Sequence, residues 1–211
     1  MTTVALLGGS GRLGQYVINR LVDRGYAVRA LVHRSTLQIA PGKVETVGGD
    51  VYDPASLAKL LDGAGVVVST LGSAAAPVPD VCTAAVRNLI PLMAGRGIER
   101  LVSTTGSAAR LDSEKGHEHR WLAVRREMLI KHMAPMILDA EEHMRLLANS
   151  HLIWTVLRLP IMSQGSGDKS ILREFPDPPD VRLTYHAVAE SLVDELASPC
   201  WPRAAPFAVP A

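Results

Sequence analysis

Short, uninterrupted apolar runs alternate along the chain with stretches whose apolar side chains recur every three or four positions. Val4-Ala5-Leu6-Leu7 is the first run and reads as a buried strand. Leu13, Val17, Ile18, Leu21 and Val22 then repeat at helical spacing, with Gly25 just past the end. Ala27–Val32 and the shorter Lys43–Gly48 are the next strands. Asp53 stands as the N-cap of a helix with Pro54 at its first position and Leu57, Leu60 and Leu61 on its apolar face. Gly65–Thr70 is apolar almost throughout, as a strand covered on both faces should be. A helix over 79–94 is stopped by Gly95 and Gly97, and Arg100–Thr105 is the fifth strand.

Beyond residue 105 the pattern loosens. A helical stretch lies within 112–133, with Trp121, Val124 and Met128 on one face and Arg120, Arg125, Arg126 and Lys131 on its solvated side. Ala134-Pro135 breaks or resets it, and a second helical run covers Met136–Ala148. His151–Leu159 is a strand closed by Pro160. A loop-rich stretch runs from Gly165 to Pro179, followed by a short strand (Val181–Thr184), a helix (His186–Leu196) and a final strand (Phe207–Val209). This alternation predicts an α/β fold, a Rossmann-type doubly wound parallel sheet, as a single domain over 1–211 with a small C-terminal substrate-side portion. The substrate-side elements fall within 112–135 and 160–185.

The candidate chemistry begins at the first turn, Gly8-Gly9-Ser10-Gly11-Arg12-Leu13-Gly14. A G-x-G-x-x-G between a strand and an amphipathic helix is a dinucleotide-binding fingerprint. Gly9 is expected to give the tight turn and Gly11 the close approach of backbone amides to a pyrophosphate. Gly14 is expected to let the helix pack closely on the sheet, with its N-terminus facing the phosphates. The second strand ends Val32-His33-Arg34-Ser35. No carboxylate stands there to accept hydrogen bonds from ribose hydroxyls; Arg34 and Arg12, with Arg29 as a further candidate, offer cationic groups to a 2′-phosphate, and Ser35 offers a hydroxyl. NADP(H) is therefore expected over NAD(H).

Net charge and composition narrow the class. The 211 residues carry a formal charge of +1, with 47% hydrophobic and 20% charged residues, so neither nucleic acid nor an anionic membrane surface is an expected partner. No apolar run approaches a membrane span, and no basic leader precedes a long apolar segment, so a cytoplasmic protein is expected. Cys82 and Cys200 are too far apart in sequence for a metal or disulfide pattern. Of His117, His119, His132 and His143 only the first two are neighbours, so no metal site is expected; the histidines read as surface groups near a substrate mouth.

Together these stretches resemble the atypical short-chain dehydrogenase/reductases, in particular the NAD(P)H-binding, biliverdin-reductase-B-like, NmrA-like and flavin reductase group. The resemblance rests on Gly8–Gly14, Gly49-Asp50-Val51, Ser69-Thr70-Leu71-Gly72, Leu101-Val102-Ser103-Thr104-Thr105, Ser150–Pro160 with its Trp-Thr-x-x-Arg-x-Pro, and Tyr185–Ala189. It implies that Asp50 and Val51 lie at the adenine and that Leu71 and Gly72 lie along the cofactor. Thr105, next to Thr104, falls at the position of the active-site serine. The chain departs from the catalytic pattern at Tyr-x-x-x-Lys: counting back from Ser150 puts Ala140 at the lysine and Met136 at the tyrosine. The resemblance thus implies an NADPH-dependent oxidoreductase acting on a flavin (FMN or FAD), quinone or similar conjugated acceptor without that pair. The alternatives are a non-enzymatic NADP(H)-binding sensor of NmrA-like type and a sugar-nucleotide epimerase or dehydratase. A homodimer or a regulatory protein partner is compatible with each.

Overall fold

The structure, a computed structural model, describes residues 2–33, 37, 44–72 and 79–211. The chain opens with β1 (Thr3–Leu7), α1 (Arg12–Asp23), β2 (Ala27–Val32), β3 (Val44–Gly48), α2 (Pro54–Leu60), β4 (Val66–Ser69), α3 (Val81–Ala94) and β5 (Arg100–Gly106). These are the elements the apolar pattern predicts, with small shifts at the ends. Asp53 caps α2 as expected, its carboxylate accepting from the amides of Ala55 and Ser56 at 3.0 and 3.1 Å. There follow α4 (Arg120–Ala148), β6 (Ile153–Leu159), β7 (Ile161–Ser163), β8 (Ser170–Arg173), β9 (Arg182–Thr184), α5 (Tyr185–Ala197) and β10 (Phe207–Pro210).

The main sheet has the order β3-β2-β1-β4-β5-β6-β10-β8. All its pairings are parallel except the edge pair, where β8 runs antiparallel to β10. The sheet is thus the doubly wound α/β arrangement expected. Strand order reverses between β1 and β4, and the crevice at such a reversal, beyond the carboxyl ends of the strands, is where open α/β sheets take ligands.

Alternation along each strand divides the core in two. Val4, Leu6, Val66, Val68 and Val102 face Leu13, Val17, Ile18 and Leu21 of α1 and Val188, Leu192 and Val193 of α5. Ala5, Leu7, Val67 and Leu101 face the other layer, with Leu57 and Leu60 of α2, Val86, Leu89 and Met93 of α3 and Met144 and Leu147 of α4. Strands apolar at every position are required because helices cover both faces.

Helical structure within 112–133 begins at Arg120, next to Trp121 where the helical pattern starts; before it, Asp112–Glu114 forms a single 3₁₀ turn. Two readings of the second half are corrected. The stretch read as loop contains β8, and Pro160 is followed directly by β7, which pairs with β9 in a separate two-stranded sheet. These strands are short and show no sustained alternation, so the chain carries little local signal for them. The faces of the first half of α4 are also different. Leu122 and Arg125 are buried, while Val124 and Met128 are exposed at 39% and 60%.

The break in α4 falls where expected, at Met133 (φ −129°, ψ 23°), two residues before Pro135. It is a sharp elbow. Arg126 and Glu141 form an ion pair across it, and Arg126 Nη2 donates to Glu141 Oε2 at 3.2 Å. Fifteen residues of straight helix would hold those two positions about 22 Å apart.

Candidate functional site

The glycine turn sits at the carboxyl end of β1, as the fingerprint requires, but its glycines divide the work differently. The left-handed residue is Gly8 (φ +79°), not Gly9, and a Cβ on Gly8 would stand 2.7 Å from the backbone carbon of Thr70 at the end of β4. The Thr70 hydroxyl lies within donor distance of the carbonyls of Leu7 and Gly8, at 3.2 and 3.1 Å, tying the turn to β4. Gly9 instead makes room for Leu6 and Ile18. Gly14 has the packing role assigned to it: a Cβ there would meet the Gly8 carbonyl oxygen at 2.2 Å.

Gly11 is the N-cap of α1. It gives that helix no side-chain cap, and no acid stands in its first turn. The nearest atom to a Cβ on Gly11 would be the Gly8 carbonyl oxygen, at 3.2 Å. Ser10 is half-buried in the turn. Arg12 is exposed and makes no ion pair among the described residues. Leu13 is buried and reaches the adjoining cavity. An uncapped helix start behind a turn of glycines is a cradle that suits a dinucleotide's pyrophosphate.

On the β2 side, His33 Nε2 lies 3.3 Å from Asp50 Oδ2, and Asp50 Oδ1 accepts from the Tyr52 amide at 3.1 Å. Val51 is buried, its carbonyl receiving Asn88 Nδ2 at 2.9 Å. His33, Asp50 and Val51 thus gather at the ends of β2 and β3. Arg34 and Ser35 lie outside the described residues. Arg29 is excluded as a phosphate ligand: it bonds Glu45 at 2.7 Å and the Lys59 and Leu60 carbonyls, away from the glycine turn.

Next to the turn, a cavity of about 530 Å³ opens at the carboxyl ends of β4, β5 and β6. Leu13, Leu71 and Gly72 form its wall on the side of the glycine turn, and Thr104, Thr105 and Ser107 bring hydroxyls from the end of β5. The elbow of α4 wraps the opposite side with Met128, Leu129, Met133, Met136, Ile137 and Ala140. Pro160, Ile161, Met162 and Pro179 complete it. Segments 112–135 and 160–185 therefore both contribute lining residues. Four of the chain's seven methionines are among them. Met136 and Ala140 share the cavity with Thr105, as the count back from Ser150 implied.

No Tyr, His, Lys, Asp or Glu is among the described residues that line this cavity. The histidines read as surface groups are so at His117 and His132, while His143 is a correction. His117 and His132 are exposed, and His119 stacks near Phe175 with ring centroids 5.1 Å apart. His143 is buried against β5, its Nε2 3.0 Å from the Ser103 hydroxyl. Burial drives its pKa down to about 4, opposed only by Asp139. Among the described residues, no three His, Cys, Asp or Glu side chains gather as a metal site would need.

Several residues that shape the site carry no local signal. Asp139 of α4 accepts from the amides of Cys82 and Thr83 at 3.2 and 2.9 Å, capping α3 and holding Cys82 at the cavity wall. Asp80, the nominal N-cap, makes no cap bond and accepts from the Tyr52 hydroxyl at 2.8 Å. Arg158, the arginine of Trp-Thr-x-x-Arg-x-Pro, forms a two-pronged pair with Glu114 at 2.7 and 2.8 Å. It also bonds the Ala205 carbonyl at 2.7 Å and lies 3.7 Å over the Phe207 ring. It thereby pins the segment after β5 that forms part of the cavity wall.

Comparison with known proteins agrees with this geometry. Over 81 residues, 33% of its length, the chain is 37% identical to an isoflavone reductase homolog of Zea mays. The matched stretches cover 12% to 26% of the curated relatives' own lengths. Among solved structures, the anaerobilin reductase ChuY of Escherichia coli O157:H7 superposes with a TM-score of 0.76 at 18% identity, over 99% of this chain and 97% of that one. A short-chain dehydrogenase/reductase of Veillonella parvula, solved with NADP, gives 0.75 at 14% identity, over 99% and 94%. Identities this low speak to the fold alone. The description NAD(P)H-binding matches residues 8–199. Because that match starts at the first glycine of the turn and runs past the end of α5, the chain belongs to the NAD(P)H-binding family.

Proposed function

We propose that this chain is an NADPH-dependent oxidoreductase that reduces a flavin, a quinone or a similar conjugated small molecule without a tyrosine–lysine pair. The observation carrying this reading is the methionine-rich cavity beside the glycine turn, with Met136 and Ala140 where a proton donor and its lysine would stand. When bound, NADPH supplies a hydride equivalent. Gly8, Gly9, Ser10, Gly11, Leu13, Gly14 and the open first turn of α1 would hold its pyrophosphate. His33, Asp50 and Val51 would meet the adenosine end, with Arg12 and Arg34 facing the 2′-phosphate. Leu71 and Gly72 would flank the cofactor, and Thr104 and Thr105 would orient its carboxamide or the acceptor carbonyl through their hydroxyls.

The apolar walls press sulfur and methyl groups against a flat ring. An acceptor that takes up charge into a conjugated ring can draw its proton from solvent, so no acid on the protein is needed. We assign residues 1–211 to one domain, with 112–135 and 160–185 as its substrate side. The test is oxidation of NADPH followed at 340 nm with menadione, FMN and cyclohexanone. Turnover with menadione or FMN and none with cyclohexanone is expected. Tight NADPH binding without oxidation by either conjugated acceptor would favour the second reading, an NADP(H) sensor acting through a protein partner, which the absence of Tyr, His, Lys, Asp and Glu from the described cavity lining also fits.

A further inference from the structure

Arg125 is the only charged side chain among the described residues that line the cavity. It sits in the first half of α4 with 6% of its surface exposed. Its Nη2 donates to the carbonyls of Asp177 and Pro178 at 3.2 and 2.9 Å, fastening the loop before β9 to α4. Nε and Nη1 make no hydrogen bond among the described residues and are not fully closed off, so both stay accessible to a ligand. The carboxylates of Asp177 and Asp180 favour its charged form through space, and Arg125 makes no ion pair among the described residues. A guanidinium stays protonated even when buried. Leaving one inside an apolar wall without a paired anion is costly, and the cost is removed by an anion arriving with the ligand.

We propose that Arg125 is a specificity-determining residue that receives a carboxylate, so that this cavity prefers a flat aromatic acid to a neutral ring of the same shape. The inference rests on the reductase reading for the identity of the cavity as the acceptor site. Its chemistry is carried by Arg125 alone. Nη2 is taken by the loop carbonyls, and the N–H groups left over, on Nε and on Nη1, lie on separate edges of the guanidinium, each able to donate to a carboxylate oxygen. The volume of about 530 Å³ suits a molecule of two or three fused rings. The methionines would grip the ring faces while Arg125 fixes which edge points inward.

The experiment is a binding titration by calorimetry, free of turnover, with 2-naphthoate and its methyl ester as probes. It uses the wild-type full chain, Arg125→Lys and Arg125→Met, each without and with saturating NADP⁺. The wild type is expected to bind the acid at least about tenfold more tightly than the ester. Arg125→Met should bring the two to similar affinity by weakening the acid, and Arg125→Lys should keep part of the preference. Equal binding of acid and ester by the wild type overturns the proposal, as does failure to bind the acid. Acid binding that survives Arg125→Met but is displaced by NADP⁺ marks the nucleotide site and overturns it too. Should Arg125→Met fail to fold through loss of the loop tether, the acid-to-ester ratio of the wild type and of Arg125→Lys decides. Failure here leaves menadione reduction standing, and absence of reduction leaves an acid preference standing, so the two readings fail separately.

Discussion

Met136 and Ala140 lie one helical turn apart on α4, and both reach the cavity that Thr105 lines from the end of β5. A thioether and a methyl group neither donate nor accept a proton between pH 6 and 9. With menadione as acceptor, kcat is therefore expected to be flat over that range, where a tyrosine–lysine pair would give a titrating limb. Thr105→Ala should lower kcat only about three- to tenfold, because its hydroxyl orients rather than protonates. Steady-state pH profiles of both proteins check this; a single titrating limb in the wild type would reveal a proton donor elsewhere than at positions 136 and 140.

Gly14 and Gly11 should respond differently to the same added methyl group. At Gly14 it would collide with the backbone oxygen of Gly8, which the sheet holds in place. Gly14→Ala is expected to cost about 3 kcal/mol or more, or to prevent folding. At Gly11 the added group meets only one atom, at 3.2 Å. Gly11→Ala should stay within about 1 kcal/mol of wild type and lose at least tenfold in NADPH affinity. Urea melts and calorimetry on the two variants separate packing from binding.

His143 predicts a specific acid sensitivity. Its pKa is about 4 when buried in the fold, against 6.5 for an unperturbed histidine. The unfolded chain therefore binds the extra proton first, so stability falls as pH drops from 6.5 towards 4 and is constant, for this group, outside that window. The full effect is about 3 kcal/mol. His143→Gln should show a shallower loss of stability between pH 7 and pH 5 than wild type, by roughly 2 kcal/mol, in matched urea titrations. Carboxylates titrate in both proteins and cancel in that difference.

Arg158→Met should destabilise the fold by about 3 kcal/mol, since it leaves the half-buried Glu114 carboxylate and the Ala205 carbonyl without their donor. Arg158→Lys keeps the charge but cannot reproduce the fork and should recover less than half of that loss. Equilibrium denaturation measures both. A variant as stable as wild type would mean that the segment after β5 is held by its other contacts alone.

NADPH should bind about ten- to a hundredfold more tightly than NADH, the value of one two-pronged arginine–phosphate contact. Arg12→Ala and Arg34→Ala should each reduce the ratio, and Arg29→Ala should leave it unchanged because Arg29 is engaged by Glu45. Calorimetry with both nucleotides tests the assignment; equal affinities in the wild type would refute it.

The chain's own pattern determined the strand and helix order through β5, the cap at Asp53, the break before Pro135 and the glycine turn at the end of β1. Each is written in spacings of two to four residues, and local backbone geometry reads such spacings directly. Counting from Ser150 also carried Met136 and Ala140 to the cavity, because helix α4 and strand β6 are joined by a short connection of fixed length. Tertiary structure decided the rest. Gly8 rather than Gly9 takes the left-handed turn because β4, some sixty residues away, closes against it. Arg125 turns from an expected solvated face into the cavity wall because the 177–178 carbonyls claim it, and His143 is buried because Ser103 waits for it on β5. Asp139 caps α3 across 56 residues, and Arg158 finds Glu114 across 44. No periodicity encodes a partner at that distance; only the packed sheet and its two helix layers bring such side chains within reach of each other.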